Sequence, residues 1–340
     1  MKAFTYLRPE SAAAAARAAA ADTTELKAAG VDLLDRMKER LITPDAVVAL
    51  LEAPDPDARR IAIGEDGSLW IGAFVTLSQL ATHPLIHKHL GALAEAAGGA
   101  ASFQIRNRAT LGGNLAQHTR CGYYRIASFP CFKRGAPTCP VLEDGAVQDT
   151  AGIFANSACA SAHPSSLAPV LGAAGATVRV RRASGKGTRD ADVAFAAFYR
   201  APERGRGGDT SLSKGDVIVG VHLPPDNERR KTGYAEVRQM AAFDWALASC
   251  AVRLERTDDG KIAAATVWYG SLAPTPHRSA EAEGALVGQA LDGSAGDAAF
   301  QAAAERAVAS ATPLQGNRYK QHLAKVVLRR AATAAAGRGS

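Results

Sequence analysis

Four of the chain's five cysteines lie between Cys121 and Cys159, and this segment constrains the fold more than any other stretch. Nine, seven and nineteen residues separate successive cysteines, unlike the close pairing typical of zinc ribbons and bacterial ferredoxins. Prolines and glycines are frequent between them, which predicts little regular structure. A long irregular segment inside a folded domain is usually functional. The candidate metal ligands are Cys121, Cys131, Cys139 and Cys159.

Such wide spacing suits a loop around a cube-shaped iron–sulfur cluster, in which each thiolate reaches one iron. Two alternatives remain: four unrelated buried or free cysteines, and a zinc-stabilised loop in a structural protein without a redox role. A disulfide framework is not indicated, because the cysteines are clustered in a chain of 340 residues. The fifth cysteine, Cys250, lies in an apolar stretch and is expected to be a core residue. His118 is expected to be structural.

Two turns rich in small residues could face an anion. Ala28–Leu33 follows a short strand and opens a helix, and Thr110–Asn114 holds a pair of glycines. Small residues let backbone N–H groups approach a phosphate, and a helix N-terminus adds a favourable dipole. A plain tight turn is the alternative at the first of these sites.

The order of elements predicts an α+β protein. A helix capped by Ser11, a hairpin across Glu65–Gly67 and a helix from Thr76 are expected in the first third. Three strands followed by three helices after residue 232 indicate a second small α+β domain. We expect domains at 1–225 and 230–335, with the first divided into 1–57 and 58–225 and carrying an insertion loop at 119–162.

Composition and charge exclude several functions. The net charge of +7 suits an anionic cofactor or an acidic partner, but no dense run of Lys and Arg is interleaved with aromatic residues, which disfavours nucleic acid. No apolar run is long enough to span a membrane, and the first residues do not resemble a secretory signal. No hydrolytic constellation stands out, and Asp32, Asp35 and Glu39, at helical spacing, are expected on a solvated face.

Several motifs resemble one family. Ser102–Leu115 closely resembles the second flavin motif of the FAD-binding subunits of molybdenum hydroxylases, the xanthine dehydrogenase and carbon monoxide dehydrogenase family. Ala28–Leu33 sits where that family has its first pyrophosphate loop, and Ile71–Leu77, Phe243–Ala248 and Leu272–Arg278 continue the resemblance in order. It implies an FAD-binding PCMH-type domain of two α/β subdomains, then a three-stranded antiparallel sheet with a helical bundle.

The resemblance also implies cofactor contacts. The cysteine insertion is similar to the [4Fe-4S] insertion in flavin subunits of periplasmic aldehyde oxidoreductases and of 4-hydroxybenzoyl-CoA reductase. Ala29, Val31 and Ser166 depart from the family's usual glycine, threonine and aspartate, and Arg106 and Arg108 are candidates for tuning the flavin. The implied FAD-binding residues are Ala28, Ala29, Gly30, Val31, Asp32, Leu33, Ser102, Ile105, Thr110, Gly112, Gly113, Asn114, His163 and Ser165.

The implied function is electron transfer, with no catalytic residue on this chain. A molybdopterin-containing large subunit would oxidise an aldehyde, and a [2Fe-2S] small subunit would pass electrons to FAD and then to an external acceptor. An equivalent subunit of an aromatic acyl-CoA reductase is the nearest alternative. The expected location is the periplasm, by export with a signal-bearing partner, or the cytoplasm.

Overall fold

The computed structural model describes residues 1–184, 187–240 and 243–338. Three units follow one another along these residues, and each has its own sheet. No described helix is long and apolar enough to cross a membrane.

The N-terminal unit is a small parallel sheet with two helices. Its elements are β1 (Thr5–Leu7), α1 (Ala12–Ala19), β2 (Thr24–Lys27), α2 (Val31–Lys38) and β3 (Ala46–Ala49). The sheet has the order β1-β3-β2, and β3 runs parallel to both neighbours. Ser11 caps α1 by accepting a hydrogen bond from the Ala14 N–H, as predicted. The β2–α2 loop therefore lies at the carboxyl edge of the sheet, the usual edge for ligands.

The second unit is built on a five-stranded antiparallel sheet. In chain order its elements are β4 (Ile61–Ile63), β5 (Leu69–Gly72), α3 (Leu77–Thr82), α4 (Pro84–Gly99), α5 (Phe103–Arg106), α6 (Leu111–Leu115), α7 (Gly122–Arg125), α8 (Leu167–Ala173), β6 (Thr177–Ser184), β7 (Gly187–Ala194), α9 (Phe195–Phe198) and β8 (Val217–Leu223). The strand order is β4-β5-β8-β6-β7. The β4–β5 hairpin and the Thr76 cap of α3, a capping box with Gln79, confirm two local predictions.

The C-terminal unit is an antiparallel sheet covered by helices. Its elements are β9 (Arg230–Arg238), β10 (Ala246–Arg256), β11 (Ile262–Gly270), β12 (His277–Arg278), α10 (Ala280–Leu286), α11 (Gly293–Ala307) and α12 (Tyr319–Ala335). The strand order is β12-β11-β10-β9. Three long strands were predicted, and the two-residue β12 adds a fourth that is too short to leave a sequence pattern.

Packing joins the units into one molecule. α12 packs on β9 and β10, while α8 from the second unit packs on β10 and β11. Ala251 and Trp268 of the C-terminal sheet belong to the core of the preceding units. Cys250 is fully buried in the other large core, which confirms its predicted structural role. The C-terminal sheet therefore supports the second unit and fixes what lies between them.

Candidate cofactor site

A cleft of about 300 Å³ is lined by residues of all three units. The N-terminal unit contributes the β2–α2 loop, the second unit contributes α5, α6 and the start of β8, and the C-terminal unit contributes Phe243–Trp245. Twelve of the predicted FAD-binding residues line it: Ala28, Ala29, Gly30, Val31, Asp32, Leu33, Ser102, Ile105, Thr110, Gly112, Gly113 and Asn114.

The other two predicted residues lie behind the cleft wall. His163 and Ser165 are almost completely buried, while their neighbours Pro164 and Ser166 line the cleft. The Ser165 hydroxyl donates to Asn114 Oδ1 at 2.5 Å and accepts from the Ala168 N–H at the start of α8. Ser165 thus holds the Asn114 amide in place and ties it to α8.

The first loop offers unpaired backbone donors. Within the described residues, no acceptor receives a hydrogen bond from the amides of residues 28–33. Gly30 has φ +87° and is the N-cap of the eight-residue α2, so the helix N-terminus opens at this loop. Ala29 does not have positive φ, so replacing glycine there brings no backbone strain. Free amides at a helix N-terminus suit a pyrophosphate.

The second glycine turn is arranged differently. The Leu111 N–H donates to Val75 O at 2.9 Å, and the Gly112 N–H donates to Ala73 O at 2.9 Å. The Gly113 N–H donates to Thr110 Oγ1 at 3.2 Å. A Cβ on Gly112 would lie 3.0 Å from the Ala73 Cβ. This turn therefore brings the backbone close to β5 and shapes the cleft, while its first amides are already bonded within the protein.

Sequence reasoning missed two arginines in the cleft. Arg36 and Arg120 line it. Among the described residues the buried Arg120 Nε has no hydrogen-bond acceptor, and Arg36 Nε lies 3.2 Å from Asp32 Oδ2 without making a hydrogen bond to it. Arg106 and Arg108, the predicted candidates, are not among the lining residues, and Arg106 donates to Ala100 O and Ala101 O instead. Unsatisfied buried donors favour an anionic ligand. The only sequence signal was that the chain is basic.

Aromatic side chains line the cleft from the C-terminal unit. Phe243 is 65% exposed and Trp245 is 48% exposed, and Ile105 faces the same space. The Arg120 guanidinium lies 4.9 Å from the Trp245 ring centroid, a cation–π contact that links the second and third units. Exposed apolar side chains next to donors suit a ligand with both an aromatic and a charged part.

Asp32 is the centre of a mostly buried ion network. Its carboxylate accepts from Arg125 Nη2 at 2.6 Å and lies 3.2 Å from Arg36 Nε and 3.3 Å from Arg120 Nη2. His118 Nδ1 lies 3.1 Å from it. Burial alone would raise the pKa of Asp32, but the His118 hydrogen bond and the surrounding guanidiniums hold it well below its usual range.

The prediction that the acidic residues of this helix lie on a solvated face is therefore wrong for Asp32. It holds better for Asp35, whose side chain is about half exposed. Helical spacing could not reveal arginines that lie more than eighty residues further along the chain. His118 is structural, as predicted: burial lowers its pKa, so the neutral ring donates from Nδ1 to Asp32 and accepts from Arg36 at Nε2.

The cysteine segment folds directly behind this network. Cys121 packs against a small cluster that contains Cys139 and Cys159, and Cys131 is also buried. Burial raises the pKa of the Cys121 thiol, and charges on Cys159 and Cys131 add to the effect. A hydrogen bond from Cys139 lowers the pKa of Cys159, and the charge of Lys133 adds to this against the effect of burial. The segment therefore brings Cys121, Cys139 and Cys159 together in one cluster and also buries Cys131.

Across residues 1–184, 187–240 and 243–338, no group of three or more His, Cys, Asp or Glu side chains is placed to hold a metal ion. A single ion needs its ligand atoms in one coordination sphere, whereas each thiolate of a four-iron cluster binds a different iron. The donor set itself, four thiols without a carboxylate, is the one that four-iron clusters use.

Side chains rather than regular structure order the segment. Beside the single turn of α7, it contains only short 3-10 helices at Phe132–Arg134 and Pro140–Leu142. The Arg134 guanidinium donates to Tyr123 O and Ile126 O at 3.0 Å each, and to Ala127 O at 3.1 Å. One guanidinium thereby satisfies carbonyl groups that a loop would otherwise leave unpaired.

Two further contacts hold the segment from outside. Lys133 is completely buried, and its Nζ lies 2.5 Å from Asp209 Oδ2. From the C-terminal unit, Asn317 donates to Ala151 O and Gly152 O, at 3.1 and 3.2 Å. With the Asp32 network, these contacts connect the segment to the N-terminal, second and C-terminal units.

Lys320, like Asn317, holds the cysteine segment from the C-terminal unit. Its burial predicts that the stability of the protein depends on pH. Its Nζ donates to Thr150 O at 3.0 Å and Ser271 O at 3.2 Å, and burial lowers its pKa to about 7. The unfolded lysine binds a proton up to its ordinary pKa near 10.5, so stability rises with pH between about 7 and 10.5, by at most about 1.4 kcal/mol per pH unit.

The measurement is the free energy of unfolding in urea at pH 7.5 and at pH 9.0. Lys320→Met should remove up to about 2 kcal/mol of the rise between these values. Lys231→Met, at an exposed position, is the control and should keep the wild-type rise. An unchanged rise in Lys320→Met would mean that Lys320 does not titrate in this interval.

Comparison with known proteins gives the family. The family described as FAD binding domain in molybdopterin dehydrogenase matches residues 2–226, and the family described as CO dehydrogenase flavoprotein C-terminal domain matches residues 234–335. The chain belongs to the FAD-binding subunits of the molybdenum hydroxylases. The resemblance seen in the sequence is therefore confirmed, as is the predicted fold class, and this flavin subunit is part of an oxidoreductase.

Individual relatives cover the flavin subunit almost completely. It is 34% identical over 330 residues to the aldehyde oxidoreductase FAD-binding subunit PaoB of Escherichia coli K12, with 96% of each chain covered. It is 26% identical over 340 residues to the carbon monoxide dehydrogenase medium chain of Hydrogenophaga pseudoflava, with 98% of this chain and 96% of the relative covered.

Solved structures agree with this assignment. Carbon monoxide dehydrogenase from H. pseudoflava superposes on the flavin subunit with a TM-score of 0.72 and 26% identity, covering 99% of this chain and 98% of the other. Quinoline 2-oxidoreductase from Pseudomonas putida 86 has a TM-score of 0.72 and 25% identity, with 99% of each chain covered.

Proposed function

We propose that this chain is the FAD- and [4Fe-4S]-binding electron-transfer subunit of a heterotrimeric molybdenum-cofactor aldehyde oxidoreductase. It receives electrons from a [2Fe-2S] small subunit, and the molybdopterin-containing large subunit oxidises the aldehyde. An external acceptor takes the electrons away. The similarity to the E. coli aldehyde oxidoreductase subunit over 96% of the chain supports the choice of substrate class.

The observation that supports the proposal most is the grouping of three of the four cysteines in a segment that begins next to the cleft wall. Cys121, Cys139 and Cys159 meet in one largely apolar cluster, to which Phe132 and Leu314 contribute. These three thiols in apolar surroundings, with the buried Cys131 in the same segment, favour a [4Fe-4S] cluster, whose potential depends on such surroundings. Cys121 follows Arg120, a residue of the cleft wall, so the cluster would lie close to the flavin.

The cleft residues fit FAD. The unpaired amides of residues 28–33 would receive the pyrophosphate, and the Arg36 and Arg120 guanidiniums supply positive potential. Asn114, held by Ser165, would bind polar groups of the ribityl chain, while Ile105 would pack against the flavin ring. When bound, FAD supplies the redox chemistry, and the protein positions it and tunes its surroundings. In this proposal 1–225 is the FAD-binding domain, with the insertion at 119–162, and 230–335 is the C-terminal domain.

Anaerobic purification of the subunit with its partners tests the proposal. We expect flavin absorption with a broad iron–sulfur shoulder, about one FAD and about four irons per copy of this chain in addition to the irons of the [2Fe-2S] subunit, and oxidation of aldehydes. Activity only toward an aromatic acyl-CoA would transfer the assignment to the reductase branch. A colourless chain that contains zinc and no iron would overturn both assignments.

Cys131→Ser tests the ligand set. Removing one thiolate should reduce iron from about four to below one per chain, because the cluster then lacks a ligand at one corner. FAD should remain close to one per chain, since Cys131 does not line the cleft. Cys250→Ser, at the buried core cysteine, is the matched control and should keep its iron. Unchanged iron in Cys131→Ser would remove this residue from the ligand set.

A further inference from the structure

Asp32 belongs to two sites at once. Its backbone is in the first turn of α2, within the loop whose amides are unpaired. Its side chain is bonded to His118 and Arg120, just before the cysteine segment, and to Arg125 within it. In the part of the chain that the structure describes, no other carboxylate pairs with all three of these side chains.

The surrounding charges make Asp32 hard to replace. Arg125 is 9% exposed and also donates through Nε to Thr119 O at 2.9 Å, so its guanidinium bridges α2 and the start of the cysteine segment. Arg120 pairs with Asp32 and also with the half-exposed Asp35. A buried guanidinium that loses its carboxylate is left with an uncompensated charge, so the cysteine segment holds this geometry only while α2 is in place.

The reverse dependence follows from the same contacts. The first turn of α2 has no side-chain cap at Gly30, so beside the packing of Leu33 and Met37 it is held by Asp32 and by whatever binds the loop amides. An anion on these amides orders the loop and α2, and an ordered α2 presents Asp32 to the arginines. Coupling between two sites is reciprocal, because each ligand favours the arrangement that the other needs.

We propose that Asp32 couples occupancy of the FAD cleft to the folded state of the cysteine segment. Asp32 is a positioning residue here, since it acts through Arg120, Arg125 and His118 and not on the reacting atoms. FAD binding stabilises residues 118–134, and an ordered segment increases the affinity of the cleft for FAD. This inference rests on the proposed function, because it takes FAD as the ligand of the cleft.

Limited trypsin digestion of the full chain provides a readout that does not depend on activity. Trypsin cuts after Arg120, Arg125, Lys133 and Arg134, all within or next to the cysteine segment. The purified chain, freed of flavin by dialysis against concentrated bromide, is digested with and without FAD, and fragments are identified by mass. We expect FAD to slow cleavage at these four sites about tenfold, within the range of typical coupling between sites.

Asp32→Asn should reduce this protection to less than twofold and weaken FAD binding about tenfold, as measured by quenching of flavin fluorescence. Asp45→Asn, which removes an exposed ion pair with Lys2 in the same unit, is the matched control and should behave as wild type. Asp32→Glu keeps the charge and should recover part of the protection.

Wild-type digestion alone can overturn the inference, even where Asp32→Asn does not fold. If FAD binds and cleavage at the four sites is unchanged, the coupling does not exist, although the proposed function stands. If Asp32→Asn binds FAD and shows full protection, the coupling does not pass through Asp32. If wild-type chain fails to bind FAD, the proposed function and this inference are both wrong.

Discussion

Replacing Gly30 with valine is expected to lower the affinity for FAD at least about 100-fold. Gly30 has φ +87°, and a Cβ there would lie 3.0 Å from Leu34 Cδ1 and 3.1 Å from Lys27 Cε. A β-branched residue is strained in this conformation, by about 1–3 kcal/mol, so the loop moves to another one. Hydrogen bonds to a charged group contribute about 1.5–3 kcal/mol each, and loss of two accounts for the predicted change.

The measurement is a fluorescence titration of flavin-free protein with FAD. Gly67→Val is the matched control, because Gly67 also has positive φ, +78°, in the β4–β5 hairpin. Gly67→Val should cost similar stability, because both glycines have positive φ. It should leave the Kd within about twofold, because Gly67 is not among the residues that line the cleft. Equal Kd values for Gly30→Val and wild type would show that the β2–α2 loop does not receive the pyrophosphate.

The largest stability effect is expected at the buried Lys133–Asp209 pair. Lys133→Met should reduce the free energy of unfolding by about 3–5 kcal/mol, because Asp209 is left charged and buried without a partner. Burial already raises the pKa of Asp209, and its Oδ1 has no hydrogen-bond donor among the described residues. Urea unfolding followed by circular dichroism measures the loss.

The double variant Lys133→Met/Asp209→Leu separates the effect of an unpaired buried charge from the effect of lost packing. Replacing both charges with apolar groups should recover most of the loss, since the net contribution of a buried pair is small. Lys214→Met breaks a partly exposed pair with Glu25 and should cost about 1 kcal/mol or less. A double variant as unstable as Lys133→Met would point to loss of packing at Lys133 as the cause.

Local signals in the sequence predicted much of the fold. Ser11, the turn at Glu65–Gly67 and the cap at Thr76 act within a few residues of themselves, so their effect is independent of the tertiary structure. The cleft residues were predicted in another way, from the resemblance of short motifs to a known family, and most of them line the cleft.

Contacts between distant segments were not predictable in this way. The sequence predicts a surface carboxylate at Asp32, because its partners His118 and Arg125 are far along the chain. The sequence likewise predicts free backbone donors at the Gly112 turn, because nothing in it shows that Ala73 O and Val75 O lie beside this turn. Burial and pairing of polar groups depend on the assembled structure.

Attachment of the cysteine segment to all three units also bears on how such a chain can evolve. Deleting residues 119–162 would leave Asp32 without Arg120 and Arg125, Asp209 without Lys133, and Lys320 without the Thr150 carbonyl. Each stranded group costs stability by itself, so a lineage that lost the cluster would need several substitutions at once to remain folded. We therefore expect a chain that has acquired this segment to retain it even where selection for the cluster is relaxed, because its loss would destabilise the fold at several sites.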